Sequence, residues 1–119
     1  MYSPEVIEHF EHPRNVGELP DASASAQVEN PACGDIMRLS LLVSEGKIVS
    51  ARYKTRGCVA AIACGSVLTE MLHGLSVERA RKLAPEDILR VLGKINPEQK
   101  HATHLAVDTL RSALRALKI

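Results

Sequence analysis

Two β-rich runs of similar length flank the tetrapeptide Ser44-Glu45-Gly46-Lys47, and just beyond the outer end of each lies a cysteine beside a glycine. The first run, Asp35 to Ser44, is rich in Met, Leu, Ile and Val. In the second, Ile48 to Thr55, the residues Val49, Ala51 and Tyr53 alternate with Ser50, Arg52 and Lys54. Alternation around a short glycine turn predicts an antiparallel hairpin. Antiparallel strands of matched length return to where they started. The loop carrying Cys33 and the loop carrying Cys58 are therefore expected at one edge of the same sheet.

The first loop reads Pro31-Ala32-Cys33-Gly34-Asp35. Side chains two apart in an extended segment point to the same face, so Cys33 and Asp35 can reach one point in space. Gly34 puts no side chain in the way and lets the backbone bend, while Pro31 stiffens the approach. A soft sulfur beside a hard oxygen is half of a metal site. The plain alternative is a loop with an incidental cysteine. The second thiol, in Arg56-Gly57-Cys58, favours the metal reading, because glycine-flanked loop cysteines are unusual as core packing.

Helices are expected around this hairpin. Ser3-Pro4-Glu5 supplies a capping hydroxyl, a proline at the first helical position and an acid in the first turn. That helix should stop near His12, before Pro13. Glu18 to Ser25 reads as a loop and Ala26 to Glu29 as a short strand. From Val59 to Leu72 the pattern is helical, ended by Gly74. Ala61, Cys64, Leu68, Met71 and Leu72 form its apolar stripe, with Ser66, Thr69, Glu70 and His73 on the other side. Cys64, in mid-stripe, reads as a small core hydrophobe. Ser76 and Pro85 start two short helices. The last helix, from about Glu98 to about Leu117, carries Ala102, Leu105, Ala106, Leu110, Ala113, Leu114 and Leu117 on one stripe.

The 119 residues suit one domain, 1–119, and the 45% apolar content supports a core. With 3% aromatics and no Trp, that core must be aliphatic. A net charge of +1 gives no field for nucleic acid or an anionic membrane. The N-terminus lacks the basic and apolar regions of a signal peptide. Three cysteines, an odd number, argue against a disulfide framework and fit reduced thiols in the cytoplasm.

His101 lies four residues before Leu105, at the N-terminal end of the last helix's stripe. This puts an imidazole at the rim of the core. With Cys33, Asp35 and Cys58 it completes a set of four donors from separate loops and helix ends, its plain alternative being a half-wet helix-start histidine. His9, His12 and His73 read as surface residues.

These residues carry a resemblance. Tyr2-Ser3-Pro4-Glu5-Val6-Ile7-Glu8-His9-Phe10, His12-Pro13-Arg14-Asn15-Val16-Gly17, Asn30-Pro31-Ala32-Cys33-Gly34-Asp35, Tyr53-Lys54-Thr55-Arg56-Gly57-Cys58, Ala61-Ile62-Ala63 and Leu68-Thr69-Glu70 follow in order. Together they resemble the U-type iron–sulfur cluster assembly scaffold family, the IscU-like or NifU N-terminal domain, over nearly the whole chain. The resemblance implies an α+β fold: a three-stranded antiparallel sheet with helices packed on one face and the metal site at one end. It implies a non-enzymatic scaffold or carrier on which a [2Fe–2S] cluster is assembled, or Zn2+ or Fe2+ held, before transfer. Its partners would be a cysteine desulfurase, an iron or electron donor and apo iron–sulfur acceptor proteins. Neither nucleic acid nor membrane is implied.

The chain departs from that family at two places. Where the family carries His-Cys at the start of the last long helix, this chain has His101-Ala102, so a ligand and sulfur acceptor is missing and the scaffold is a divergent one. The chaperone-recognition stretch aligns with Ile95-Asn96-Pro97-Glu98-Gln99, which lacks one proline and the lysine and puts the chaperone interaction in doubt. The ligand candidates are Cys33, Asp35, Cys58 and His101. Two rivals fit the same residues: a zinc-stabilised binding module, and a persulfide-carrying sulfur transferase using Cys58 or Cys33.

Overall fold

The computed structural model describes residues 2–31, 34–93, 96 and 100–117. Helix α1 (Pro4–Glu11) is followed by strands β1 (Ala24–Glu29), β2 (Ile36–Ser44) and β3 (Lys47–Arg56). Helices α2 (Val59–Leu72), α3 (Val77–Ala80), α4 (Pro85–Leu92) and α5 (Lys100–Arg115) complete the chain. The strands form one antiparallel sheet in the order β1-β2-β3, and the helices pack on one face of it. Among the described residues no helix is long and apolar enough to cross a membrane. The expected chaperone stretch lies outside the described residues except for Asn96.

The β2–β3 hairpin forms where the sequence predicts. Ser44 pairs with Lys47, leaving Glu45 and Gly46 as a two-residue turn with φ of 53° and 75°. Positive φ at both central positions is what tight hairpins of right-twisted strands require. Met37, Leu39, Leu41, Ile48, Ala51 and Tyr53 are buried under the helices. The predicted alternation in β3 is wrong at one end. Ile48 is buried and Val49 is 50% exposed, because the register shifts between Leu42 and Val43, where Ser50 and then Ile48 are the successive partners. That bulge exchanges the faces of the residues beyond it.

Helix α2 is the central helix, packed against α1, β3, α4 and α5. It is not amphipathic as expected: Ser66 and Thr69 are as buried as Cys64 and Leu68. Their hydroxyls are satisfied. Ser66 Oγ accepts the Arg14 backbone N–H at 3.0 Å and lies 2.8 Å from His9 Nδ1. Thr69 donates to the Ser66 carbonyl at 2.9 Å and accepts from Asn15 Nδ2 at 3.2 Å. This network holds α1 and the segment after it on α2, and corrects the placement of His9, which is only 8% exposed. Burial and then Arg14 push the His9 pKa below its usual value, against smaller opposing effects of Glu70 and Glu8. His73 is exposed as expected, but its Nε2 accepts the Ala51 N–H at 3.0 Å on the free edge of β3. Tyr53, also on β3, pairs there with Asn15 and Gly17 through backbone hydrogen bonds of 2.8–2.9 Å. Gly65 lies against the Tyr53 ring, which a Cβ would penetrate.

Candidate metal or cluster site

The register of the sheet positions the site. Ile36 pairs with Glu29 on one side and Arg56 on the other, so the 30–35 loop and residues Gly57 and Cys58 leave the sheet at the same end. The hairpin thus brings the two loops together as the strand lengths predict. Thr55 ties the two strand ends by donating its hydroxyl to the Ile36 carbonyl at 2.6 Å. The 30–35 loop closes on itself: the Asn30 N–H donates to the Asp35 carbonyl at 2.8 Å, and the Gly34 N–H to the Asn30 carbonyl at 2.7 Å. Gly34 has φ 76°, a conformation that disfavours a side chain.

Asp35 lies over Gly57. A Cβ at position 57 would stand 2.7 Å from Asp35 Cγ and 2.9 Å from Oδ1, so the carboxylate occupies space that only glycine leaves free. The sequence marks Gly57 only as the glycine beside a loop cysteine. The structure assigns it a steric role, and the only signal for it in the sequence is its place before Cys58. The Cys58 thiol donates to Asp35 Oδ2 at 3.4 Å.

Cys58 is also the N-cap of α2, with φ −74° and ψ 171°, and its carbonyl accepts the Ile62 N–H at 3.2 Å. The residue is exposed, yet partial burial of its thiol is the largest cause of a raised pKa. The backbone N–H of Ala61 opposes that rise, the charge and hydrogen bond of Asp35 add to it, and the Ala60 N–H is the smallest opposing contribution. The Cys58 thiol therefore keeps its proton more firmly than usual and donates it toward the carboxylate. A cation that replaces the proton removes the repulsion between two anions.

Of the four candidate ligands, Asp35 and Cys58 are brought together here. Cys33 lies outside the described residues, in the loop whose ends are closed beside Asp35. His101 sits exposed in the first turn of α5, next to Ala102, which is buried in the core. Among the described residues no three of His, Cys, Asp and Glu form a group that could hold a metal ion. Cys64 is fully buried, with its thiol pKa pushed up to about 12 by burial and secondarily by Cys58. It belongs to the core, as its place on the helix predicts.

The fold and the loop pair define a class. Residues 1–118 match the NifU-like N terminal domain, and the chain belongs to that family. It is 40% identical over 114 residues to the iron-sulfur cluster assembly scaffold protein IscU 1 of Archaeoglobus fulgidus, covering 96% of this chain and 74% of that one. It is likewise 40% identical over 121 residues to the iron-sulfur cluster assembly scaffold protein IscU of Escherichia coli K12, covering 98% and 94%. The fold is shared with a crystal structure described as a putative iron-sulfur cluster assembly scaffold protein for the SUF system from Fervidobacterium islandicum. That likeness has a TM-score of 0.77 at 22% identity and covers 95% of this chain and 96% of the other.

Proposed function

We propose that this protein is a scaffold and carrier on which an iron–sulfur cluster is built and from which it is passed to recipient proteins. The observation that carries this reading is the Cys58–Asp35 pair: an exposed thiol and a carboxylate 3.4 Å apart, at the sheet end where the Cys33 loop also emerges. Iron would be held by the Cys58 sulfur and the Asp35 carboxylate once the thiol proton has left, with Cys33 as the second thiolate. His101, which does not form a group with that pair in this structure, would close in to supply nitrogen in place of the thiol that Ala102 lacks. A carboxylate is a poor long-term partner for a soft cluster, so one hard donor keeps the cargo removable.

In this reading the cluster is of the [2Fe–2S] type, a cysteine desulfurase supplies sulfur, and a separate donor supplies iron and electrons. The chain binds and hands on its cargo without turning over a substrate, in the cytoplasm, as one domain. The test is anaerobic reconstitution with ferric iron and sulfide, followed by mixing with an apo-ferredoxin. The expected result is visible charge-transfer absorbance that moves to the ferredoxin. Stoichiometric zinc in the purified protein, with no chromophore formed on reconstitution, would assign the site to a structural metal instead.

A further inference from the structure

A second concentration of chemistry lies away from the cysteines. Helix α3 begins beside the hairpin turn, where the Val77 N–H donates to the Gly46 carbonyl at 2.9 Å. The turn is separated from the Asp35–Cys58 end by the nine residues of β2, roughly 30 Å of strand. On this side Arg81, the C-cap of α3, and Arg111 and Arg115, one turn apart on α5, line a recess of about 350 Å³ with Leu114. Arg79 and Lys82 flank Arg81 in the chain.

These guanidiniums have no counter-charge among the described residues. Among the described residues no carboxylate pairs with Arg81, Arg111 or Arg115, although Glu78 and Asp108 lie on the same elements. Among the described residues the hydrogen bond that the three make is a long one, 3.5 Å from Arg111 Nη2 to the Leu83 carbonyl. Like charges four apart on a helix repel, so Arg111 and Arg115 stand opposed unless an anion lies between them. The guanidinium fork matches two oxygens of a phosphate, and three forks around an apolar floor suit a multiply charged phosphate with an organic part. The volume is at the small end of small-molecule sites.

We propose that this recess binds a phosphate-bearing small molecule, its phosphates held by Arg81, Arg111 and Arg115 and its apolar part against Leu114. The inference is independent of the cluster site. The experiment is calorimetric titration of the full chain with inorganic pyrophosphate and with ADP at matched ionic strength, beside thermal unfolding with and without each. The wild type should bind both saturably and in competition, and unfold at a higher temperature when bound. Arg111→Gln with Arg115→Gln, and separately Arg81→Gln, should weaken binding at least about tenfold. Arg111→Lys with Arg115→Lys should also weaken it, because an ammonium lacks the fork. The ligand-free glutamine variants should unfold no lower than wild type, whereas a purely structural role for Arg111 would lower them. Cys58→Ala should bind as wild type does. If the double variant fails to fold, Arg81→Gln carries the test. No saturable binding, equal binding by the variants, or tighter binding of a triglutamate peptide than of pyrophosphate would overturn the proposal; the last would assign the recess to an acidic peptide.

Discussion

The Cys58 thiol lies 3.4 Å from Asp35 Oδ2, and the Asp35 carboxylate rests on the Cα of Gly57. The thiol's acidity is therefore partly under the control of a residue in another loop. Asp35 raises the Cys58 pKa by its charge and by accepting the thiol proton. Asp35→Asn or Asp35→Ala should lower it, so that the midpoint of the pH dependence of iodoacetamide alkylation of metal-free protein moves down. An unchanged or upward midpoint would show that the two groups do not interact in solution.

Gly57→Ala places a methyl where the carboxylate lies. Gly57 is exposed, and its φ lies outside the left-handed region, so the fold should lose less than about 1 kcal/mol. The carboxylate must move instead. If it is the labile donor, this variant and Asp35→Ala should both retain a reconstituted cluster longer than wild type when mixed with an apo-ferredoxin. Transfer kinetics at equal cluster loading check this.

Cys64 is fully buried in α2 and six residues beyond Cys58. Cys64→Ala should leave metal stoichiometry intact and cost about 1 kcal/mol of stability in urea unfolding, as a small core truncation. In native protein its thiol should stay unmodified at neutral pH, since burial holds its pKa near 12. It should be alkylated only after denaturation. Loss of metal in Cys64→Ala would instead make Cys64 the substitute for the cysteine missing at Ala102.

His9 is neutral in its buried position, with Ser66 at Nδ1 and Glu70 Oε1 3.7 Å from Nε2. Its folded pKa lies below the ordinary value of 6.5. As pH falls, the unfolded chain takes up this proton before the folded one does. The His9 contribution to stability is thus complete above pH 6.5 and declines as pH drops through 6.5 toward the folded value. Urea midpoints should fall between about pH 7.5 and about pH 5.5, and His9→Gln should flatten that slope. Equal slopes would place the pH dependence elsewhere.

The meeting of the Asp35 and Cys58 loops was legible in the sequence because strand length and turn position alone decide it. The exposure of Val49 was not, because one bulge inverts the alternation and leaves no mark on composition. Nor was the burial of Ser66 and Thr69. Polar residues on α2 read as a wet face, but their hydroxyls are paired with the His9–Asn15 segment, so burial carries no penalty for unmet hydrogen bonds. The role of Gly57 is a contact between loops far apart in the chain, which local pattern does not encode.

The central claim is that Cys33, Asp35, Cys58 and His101 hold the cargo without a third cysteine at Ala102. The most direct measurement is iron and acid-labile sulfide per chain after anaerobic reconstitution of wild type, Cys33→Ala, Cys58→Ala and His101→Ala. The account predicts equal iron and sulfide in wild type, near-complete loss of both in each cysteine variant, and a clear reduction in His101→Ala. Wild-type content in either cysteine variant, with folding intact, would contradict it.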